Sequence, residues 1–273
     1  EKTMVWKHAD EKDARSLKHN SLRTLYVTPD KDMVWVGAAK SGLAYYAGST
    51  FKFYTDLRVD VTAVAPCGSN AYWVGTTNKG IGCYKPLTGE VKYLNASVDF
   101  TRHEIFALHT GREGRLWAAT NKGIIFKILQ EGKSVTSYQI VTLDAQTGPA
   151  TNVITDLLED DRGNLWIATL GVGLQCLDIQ TGKITVYTEE KNKLPSNRVN
   201  SLELTRNRNL LMGTTHGVAV LDFGKNVVTS YTGTRGGNTP YSSLYINHVI
   251  EDHRGLWWIA TRDGVDVYDA KND

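Results

Sequence analysis

Apolar residues in this chain gather in short blocks at long, regular intervals, with no sustained helical rhythm. One block recurs six times: VWVGA at 34–38, YWVGT at 72–76, LWAAT at 116–120, LWIAT at 165–169, LLMGT at 210–214 and WWIAT at 257–261. Its second residue falls at Trp35, Trp73, Trp117, Trp166, Leu211 and Trp258, with spacings of 38, 44, 49, 45 and 47 residues. A mean near 45 is the length of a four-stranded propeller blade. Three or four residues after each block a glycine opens a second apolar stretch: Gly42, Gly80, Gly123, Gly173, Gly217 and Gly264. A polar turn and a strand ending in an aromatic follow, as in KITVYT at 183–188 and EVKYL at 90–94. An apolar stretch and polar turn precede each block, clearest in VITDLLEDDRGN at 153–164 and YINHVIEDHRG at 245–255. Each unit therefore predicts four short strands with regular turn signals.

The expected fold is all-β: a β-propeller of six four-stranded blades. A blade lies between two neighbours, so its central strands should be apolar on both faces rather than alternating. The fourth residue of the block is always small (Gly37, Gly75, Ala119, Ala168, Gly213, Ala260), which allows close backbone approach. The glycine that opens the next strand suits a tight turn needing positive φ. A single domain over residues 1–273 is expected, with repeats at 17–57, 58–98, 99–145, 146–190, 191–238 and 239–273 plus 1–7. The last repeat stops one strand short at VYDAKND, and KTMVWK at 2–7 resembles the missing KITVYT. That predicts an N-terminal strand completing the sixth blade. The alternative is a seven-bladed ring or a fragment of a longer array.

Composition changes this picture little. Seven Trp and thirteen Tyr against three Met and six Pro lean toward β structure, because aromatics fit half-buried pleated surfaces. A net charge of +2 gives no clustered basic footprint, so nucleic acid is not an expected partner. No apolar run approaches the ~18 residues of a membrane span. EKTMVWKHAD has no charged-then-apolar leader, so no membrane contact is expected of this segment. The odd set Cys67, Cys83 and Cys176 has no ligand spacing and decides nothing about compartment. Cys83 and Cys176 share a strand slot with Tyr45, Phe126, Val220 and Val267 and read as small buried hydrophobes. Lying two blades apart, they are too distant to pair with each other. The block tryptophans read as core.

The stretch EDDRGNLWIAT…GVGLQCLDIQTGKITVYTEEKNKLPSNRVNSL (159–202) resembles the two-component regulator propeller repeat, and EDHRGLWWIATRDGVDVYD (251–269) is similar to it. The repeat runs roughly D-x-x-G-x-L-W-I-G-T, G-G-L, Y-D-x-x-T-G-x-F-x-x-Y, L-x-S-N-x-V. The fifth unit departs from it with Leu211 for Trp, the first with Ala38 for Thr. This resemblance implies the periplasmic, non-catalytic sensor of a Bacteroides-type hybrid histidine kinase that detects oligosaccharides. The implied partners are an oligosaccharide and neighbouring sensor-kinase domains: a further propeller, a β-sandwich, a membrane helix and the kinase. Absence of any Trp-Asp dipeptide argues against WD repeats.

Binding is expected on the loops between second and third strands, which share a face with the loops joining blades. Those loops carry Lys40, Lys79, Lys122, His216 and Arg262. Permanent cations on four blades at one level would concentrate field over a channel and favour an anionic glycan bearing uronate or sulfate. Arg262 could hold a carboxylate bidentately, the lysines acting as softer point charges. Loops leading into blades add Arg102, His103, Asn152, Asn197, Arg198 and Tyr241. The competing reading is solvated turn residues, with Asn20, Asn152 and Asn197 as turn-formers.

No catalytic site, metal or cofactor is expected. The histidines (His8, His19, His103, His109, His216, His248, His253) form neither H-x-H nor H-E-x-x-H. No G-x-S-x-G elbow occurs. The carboxylates Glu159/Asp160 and Glu251/Asp252 recur in one turn and read as repeat grammar. Two alternatives stand. One is a propeller lyase or hydrolase of the streptogramin lyase type, using His103, His109, His216 or His248, although that repeat has W-F-T-E where this chain has W-I-A-T. The other is a protein-interaction platform.

Overall fold

The computed structural model describes residues 12, 22–28, 33–38, 42–47, 50–54, 57, 59–129, 134–139, 153–232, 242–252, 254–261 and 264–270. Well over half of these residues are strand; they include one four-residue α-helix, α1 (Glu189–Asn192), and two three-residue 3-10 turns at Phe100–Arg102 and Arg112–Gly114. Blade 1 comprises β1 (Leu22–Val27), β2 (Met33–Ala38), β3 (Gly42–Ala47) and β4 (Thr50–Tyr54). Blade 2 comprises β5 (Val61–Pro66), β6 (Tyr72–Thr76), β7 (Ile81–Lys85) and β8 (Glu90–Tyr93). Blade 3 holds β9 (Ile105–Thr110), β10 (Leu116–Thr120), β11 (Ile124–Leu129) and β12 (Ser134–Gln139). Blade 4 holds β13 (Ile154–Glu159), β14 (Asn164–Thr169), β15 (Leu174–Asp178) and β16 (Ile184–Tyr187). Blade 5 holds β17 (Val199–Leu204), β18 (Leu210–Thr214), β19 (Gly217–Asp222) and β20 (Val227–Tyr231). Blade 6 has β21 (Ile246–Glu251), β22 (Trp257–Thr261) and β23 (Val265–Tyr268). Each is a sequential meander sheet, antiparallel in every pairing described, and together they are the six blades of a β-propeller. The strand expected to complete blade 6 falls on residues 1–7, outside the described residues.

The chain divides into two compact units, residues 1–121 with 126–137 and residues 122–125 with 138–273. Within the first, β1 packs on β5 and β5 on β9; within the second, β13 packs on β17 and β17 on β21. The recurring block is the second strand of every blade, buried along its whole length in β6, β10 and β18. Trp35, Trp73, Trp117 and Trp166 are all buried, as their core assignment requires; Trp258 is half-buried.

The small fourth residue has a specific cause. A methyl at Gly75 would meet Ile105 Cγ2 at 2.6 Å, and one at Gly213 would meet Ile246 Cγ2 at 2.9 Å. Ile105 and Ile246 begin the first strands of the following blades, so the block is where one blade lies on the next.

First strands are further tied by a repeated bulge. The register between first and second strands slips at Thr62, Thr155, Asn200 and Asn247. A bulge frees its extra residue from the ladder and re-aims it. Thr62 Oγ1 donates to Ile105 O, Thr155 Oγ1 to Val199 O at 2.6 Å, and Asn200 Nδ2 to Ile246 O at 2.6 Å. In these three blades the bulged side chain thus hydrogen-bonds the next blade, whereas Asn247 Nδ2 donates to Thr261 O of its own blade at 3.2 Å.

A second repeated device explains the turn aspartates. Asp160 accepts N–H bonds from Arg162 and Asn164 and the indole N–H of Trp166 at 2.8 Å. Asp252 does the same with Arg254, Leu256 and Trp258 Nε1 at 3.0 Å. One carboxylate shapes the turn and clasps the core tryptophan six residues on. Where blade 5 has Leu211 instead of Trp, Thr205 fills the aspartate slot and closes the turn onto Asn209.

Candidate functional site on the loop face of the blades

The loops between second and third strands are built by the threonine that ends the block. Thr76 Oγ1 donates to Gly80 O at 2.8 Å and accepts the N–H of Lys79 at 2.9 Å. Thr214 Oγ1 donates to Gly217 O at 2.8 Å and accepts the N–H of His216 at 3.1 Å. Thr169 and Thr261 make the matching bonds to Gly173 O and Gly264 O. The glycine opening the third strand has φ between +68° and +150° in all six blades, as the sequence predicts. At Gly173 a side chain is doubly excluded, because φ is +85° and a Cβ would lie 2.1 Å from Tyr187 O. A rigid threonine–glycine loop therefore presents Lys79 and His216 to solvent, and both are exposed.

In the first unit this loop abuts the turn leading into blade 3. A Cβ on Gly80 would touch Phe100 Cβ at 2.7 Å, so the residue after Lys79 packs on the turn that carries Arg102 and His103. Arg102 is not simply an available cation. Its Nε donates to Asp99 Oδ2 at 3.0 Å, and Asp99 also caps the turn by accepting the N–H of Thr101. His103 is half-buried, its ring edge-on to Phe126 at 5.3 Å.

In the second unit Arg198 and His216 are brought together. The N–H of Thr215 donates to Arg198 O at 3.1 Å, and Ser196 Oγ lies 2.9 Å from Thr215 Oγ1. Asn197 is structural: its carbonyl accepts the N–H groups of Gly171 and Gly173, and its Oδ1 accepts that of Glu189. Lys122 is exposed at the turn between β10 and β11. Lys40, Asn152, Tyr241 and Arg262 lie outside the described residues.

Two acids absent from the sequence-derived set occupy first strands of the second unit. Asp156 Oδ2 accepts the N–H of Leu202 at 2.8 Å, linking blade 4 to blade 5. Burial pushes its carboxyl up to about 6 from an ordinary 3.8, against the pull of N–H bonds from Leu202 and Leu157. Burial, then the charges of Asp156 and Glu251, push Glu203 up to about 7 from 4.5. Both folded values exceed the unfolded ones, so between them the folded chain holds more protons, and stability falls as pH rises. The melting temperature should therefore decline from about pH 4 to about pH 7 on account of these groups. Thermal melts of Glu203→Gln should show a flatter profile and a higher midpoint than the parent at pH 7.5. An unchanged profile would remove Glu203 from that role.

Residues 148–171 match the family model for the two-component regulator propeller, a stretch that includes the Asp160–Trp166 clasp and the Thr169 loop. A search of curated proteins by sequence found no match. The fold is similar to the extracellular domain of the putative hybrid two-component system BT4673 from B. thetaiotaomicron, with TM-score 0.63 and 16% identity over 90% of this chain and 38% of that one. It is also similar to that of BT3049 from the same organism, with TM-score 0.59 and 19% identity over 97% of this chain and 36% of that one. A catalytically inactive virginiamycin B lyase from Staphylococcus aureus, solved with quinupristin, aligns at TM-score 0.71 and 16% identity over 92% of this chain and 82% of that one. Residues 148–171 are thus similar to one two-component regulator propeller repeat, and the chain spans well under half of the two-component domains it resembles in fold.

Proposed function

We propose that this chain is the ligand-sensing propeller of a hybrid two-component system, non-catalytic and periplasmic, binding an anionic oligosaccharide. Neighbouring domains of a sensor histidine kinase carry the resulting change onward; nucleic acid and the membrane surface are not its partners. The observation that carries the reading is the threonine–glycine loop, which holds Lys79 and His216 outward at equivalent positions of different blades. Preset loops of this kind bind with little ordering cost. Lys40, Lys122, Arg198, Arg102, His103, Tyr241 and Arg262 complete the proposed ligand set. Support for the two-component assignment comes from the family match and from the hybrid two-component extracellular domains of similar fold. Among the described residues, no helix is long and apolar enough to cross a membrane.

The test is calorimetric titration with a galacturonate oligosaccharide. Lys79→Ala combined with Lys122→Ala should weaken binding about tenfold, two charge contacts of somewhat under 1 kcal/mol each, and should flatten its salt dependence. Unchanged affinity in the double variant would remove the cations from the site.

The similarity to a lyase propeller favours one second reading, an enzyme using loop histidines such as His216. It requires product formation that disappears in His216→Ala, whereas the sensing reading requires none.

A further inference from the structure

Cys67 and Cys83 meet within blade 2, their Sγ atoms 2.9 Å apart although both remain thiols. A disulfide bond is about 2.05 Å long, so closure needs less than an ångström of sulfur movement. Repeat positions show why the two meet. Cys67 stands six residues before Trp73, the slot that Asp160 fills before Trp166 and Asp252 before Trp258. Cys83 is the cross-strand partner of Trp73, as Cys176 is of Trp166. Blade 4 fills the same two slots with Asp160 and Cys176. Burial first, then the charge of Asp160, pushes the Cys176 thiol up to about 12, so these slots adjoin in that blade as well. By sequence, blade 2 is the only repeat with cysteine in both slots. Its turn lacks the carboxylate that clasps the indole elsewhere, and a covalent link from Cys67 across β6 to β7 would tie the same turn to the sheet.

We propose that Cys67 and Cys83 are a redox pair that closes to an intramolecular disulfide on exchange with an external disulfide. One cysteine thiolate attacks a sulfur of the oxidant, forming a mixed disulfide and expelling a thiolate. The second cysteine then attacks the protein sulfur of that mixed disulfide, forming the Cys67–Cys83 bond and expelling the oxidant's other thiolate. Two electrons pass to the oxidant, and the two cysteine protons end on its thiols. Both cysteines are half-buried, open enough for exchange, whereas Cys176 is held as an unreactive thiol. The pair does not depend on which ligand the loops bind.

The whole chain, reduced and then incubated with oxidised glutathione at pH 8, is denatured and alkylated with iodoacetamide, and its mass is measured. Of the three cysteines only one should then be alkylated, and peptide mapping should find Cys67 joined to Cys83. Dithiothreitol should restore three alkylations, and the oxidised chain should melt about 5 °C higher than the reduced one. Three alkylated cysteines, stable glutathione adducts on Cys67 or Cys83, or a link involving Cys176 would each overturn the proposal. Cys67→Ser should abolish both the link and the melting shift, and retention of either would also count against it.

Discussion

Asp160→Ala should lower the melting temperature by about 10 °C, the largest effect expected of any polar substitution in the chain. The Asp160 carboxylate is 1% exposed and accepts from the N–H groups of Arg162 and Asn164, Asn164 Nδ2 and Trp166 Nε1, all within 2.9 Å. Truncation leaves the buried indole N–H and the turn amides without an acceptor. An unsatisfied buried group costs about 1–3 kcal/mol. These costs overlap, so roughly 3–4 kcal/mol is expected for the whole cluster. At about 2–4 °C per kcal/mol for a domain of this size, that is about 10 °C. Asp252→Ala removes the equivalent clasp where Asp252 is 14% exposed and Trp258 half-buried, so water can replace the lost acceptor. Its midpoint should fall clearly less. Calorimetric melts of the two variants check this, and equal shifts would mean that burial of the clasp contributes nothing.

Gly75→Val should be the most damaging apolar change, at about 3 kcal/mol or more. A Cβ there meets Ile105 Cγ2 at 2.6 Å, Ile105 Cβ at 3.0 Å and Ala63 Cβ at 3.3 Å. Valine adds two further methyls against the first strand of blade 3. The gain in strand propensity, at most about 1 kcal/mol, does not offset such overpacking. Ala119, Ala168 and Ala260 occupy the same slot elsewhere, so Gly75→Ala should cost less than Gly75→Val, although its Cβ still requires the buried Ile105 to shift. Urea denaturation should give the order parent, Gly75→Ala, Gly75→Val, from most to least stable. If the valine variant unfolded at the parent midpoint, blades 2 and 3 would not pack through this residue.

These effects rest on contacts of different legibility. The block, its small fourth residue and the following glycine are local patterns. They could be read because a central strand needs apolar residues on both faces and the next turn needs positive φ. The roles of Asp160 and Asp252 were half legible: their recurrence marked them as repeat grammar, but the indole clasp appears only once the turn curls the carboxylate back over the tryptophan. Thr62, Thr155 and Asn200 were missed. Their partners lie 43 to 46 residues away, and the bulge that aims them slips the register without leaving a mark in the hydrophobic pattern. Asp156 and Glu203 were missed because their perturbation comes first from burial, which depends on how the blades pack, and for Glu203 also from the charges of Asp156 and Glu251 on other strands. Arg102 was read as a cation for ligand, although its partner Asp99 stands only three residues earlier. Cys67 carried no expectation beyond its lack of a ligand spacing, because its offset from Trp73 matches that of Asp160 from Trp166 only once the repeats are aligned on the tryptophan.

Function is the least local property, because loop cations do not name what they bind. The decisive measurement is titration of the intact chain with galacturonate oligosaccharide and with a neutral glucan, at low and moderate salt, recovering the ligand for mass analysis. Saturable heat from the acidic sugar alone, weakened by salt, with the sugar returned at unchanged mass, is the expected result. A recovered sugar cleaved or unsaturated by elimination, or no heat from the acidic sugar at either salt concentration, would contradict the assignment of this propeller as a sensor of anionic glycans.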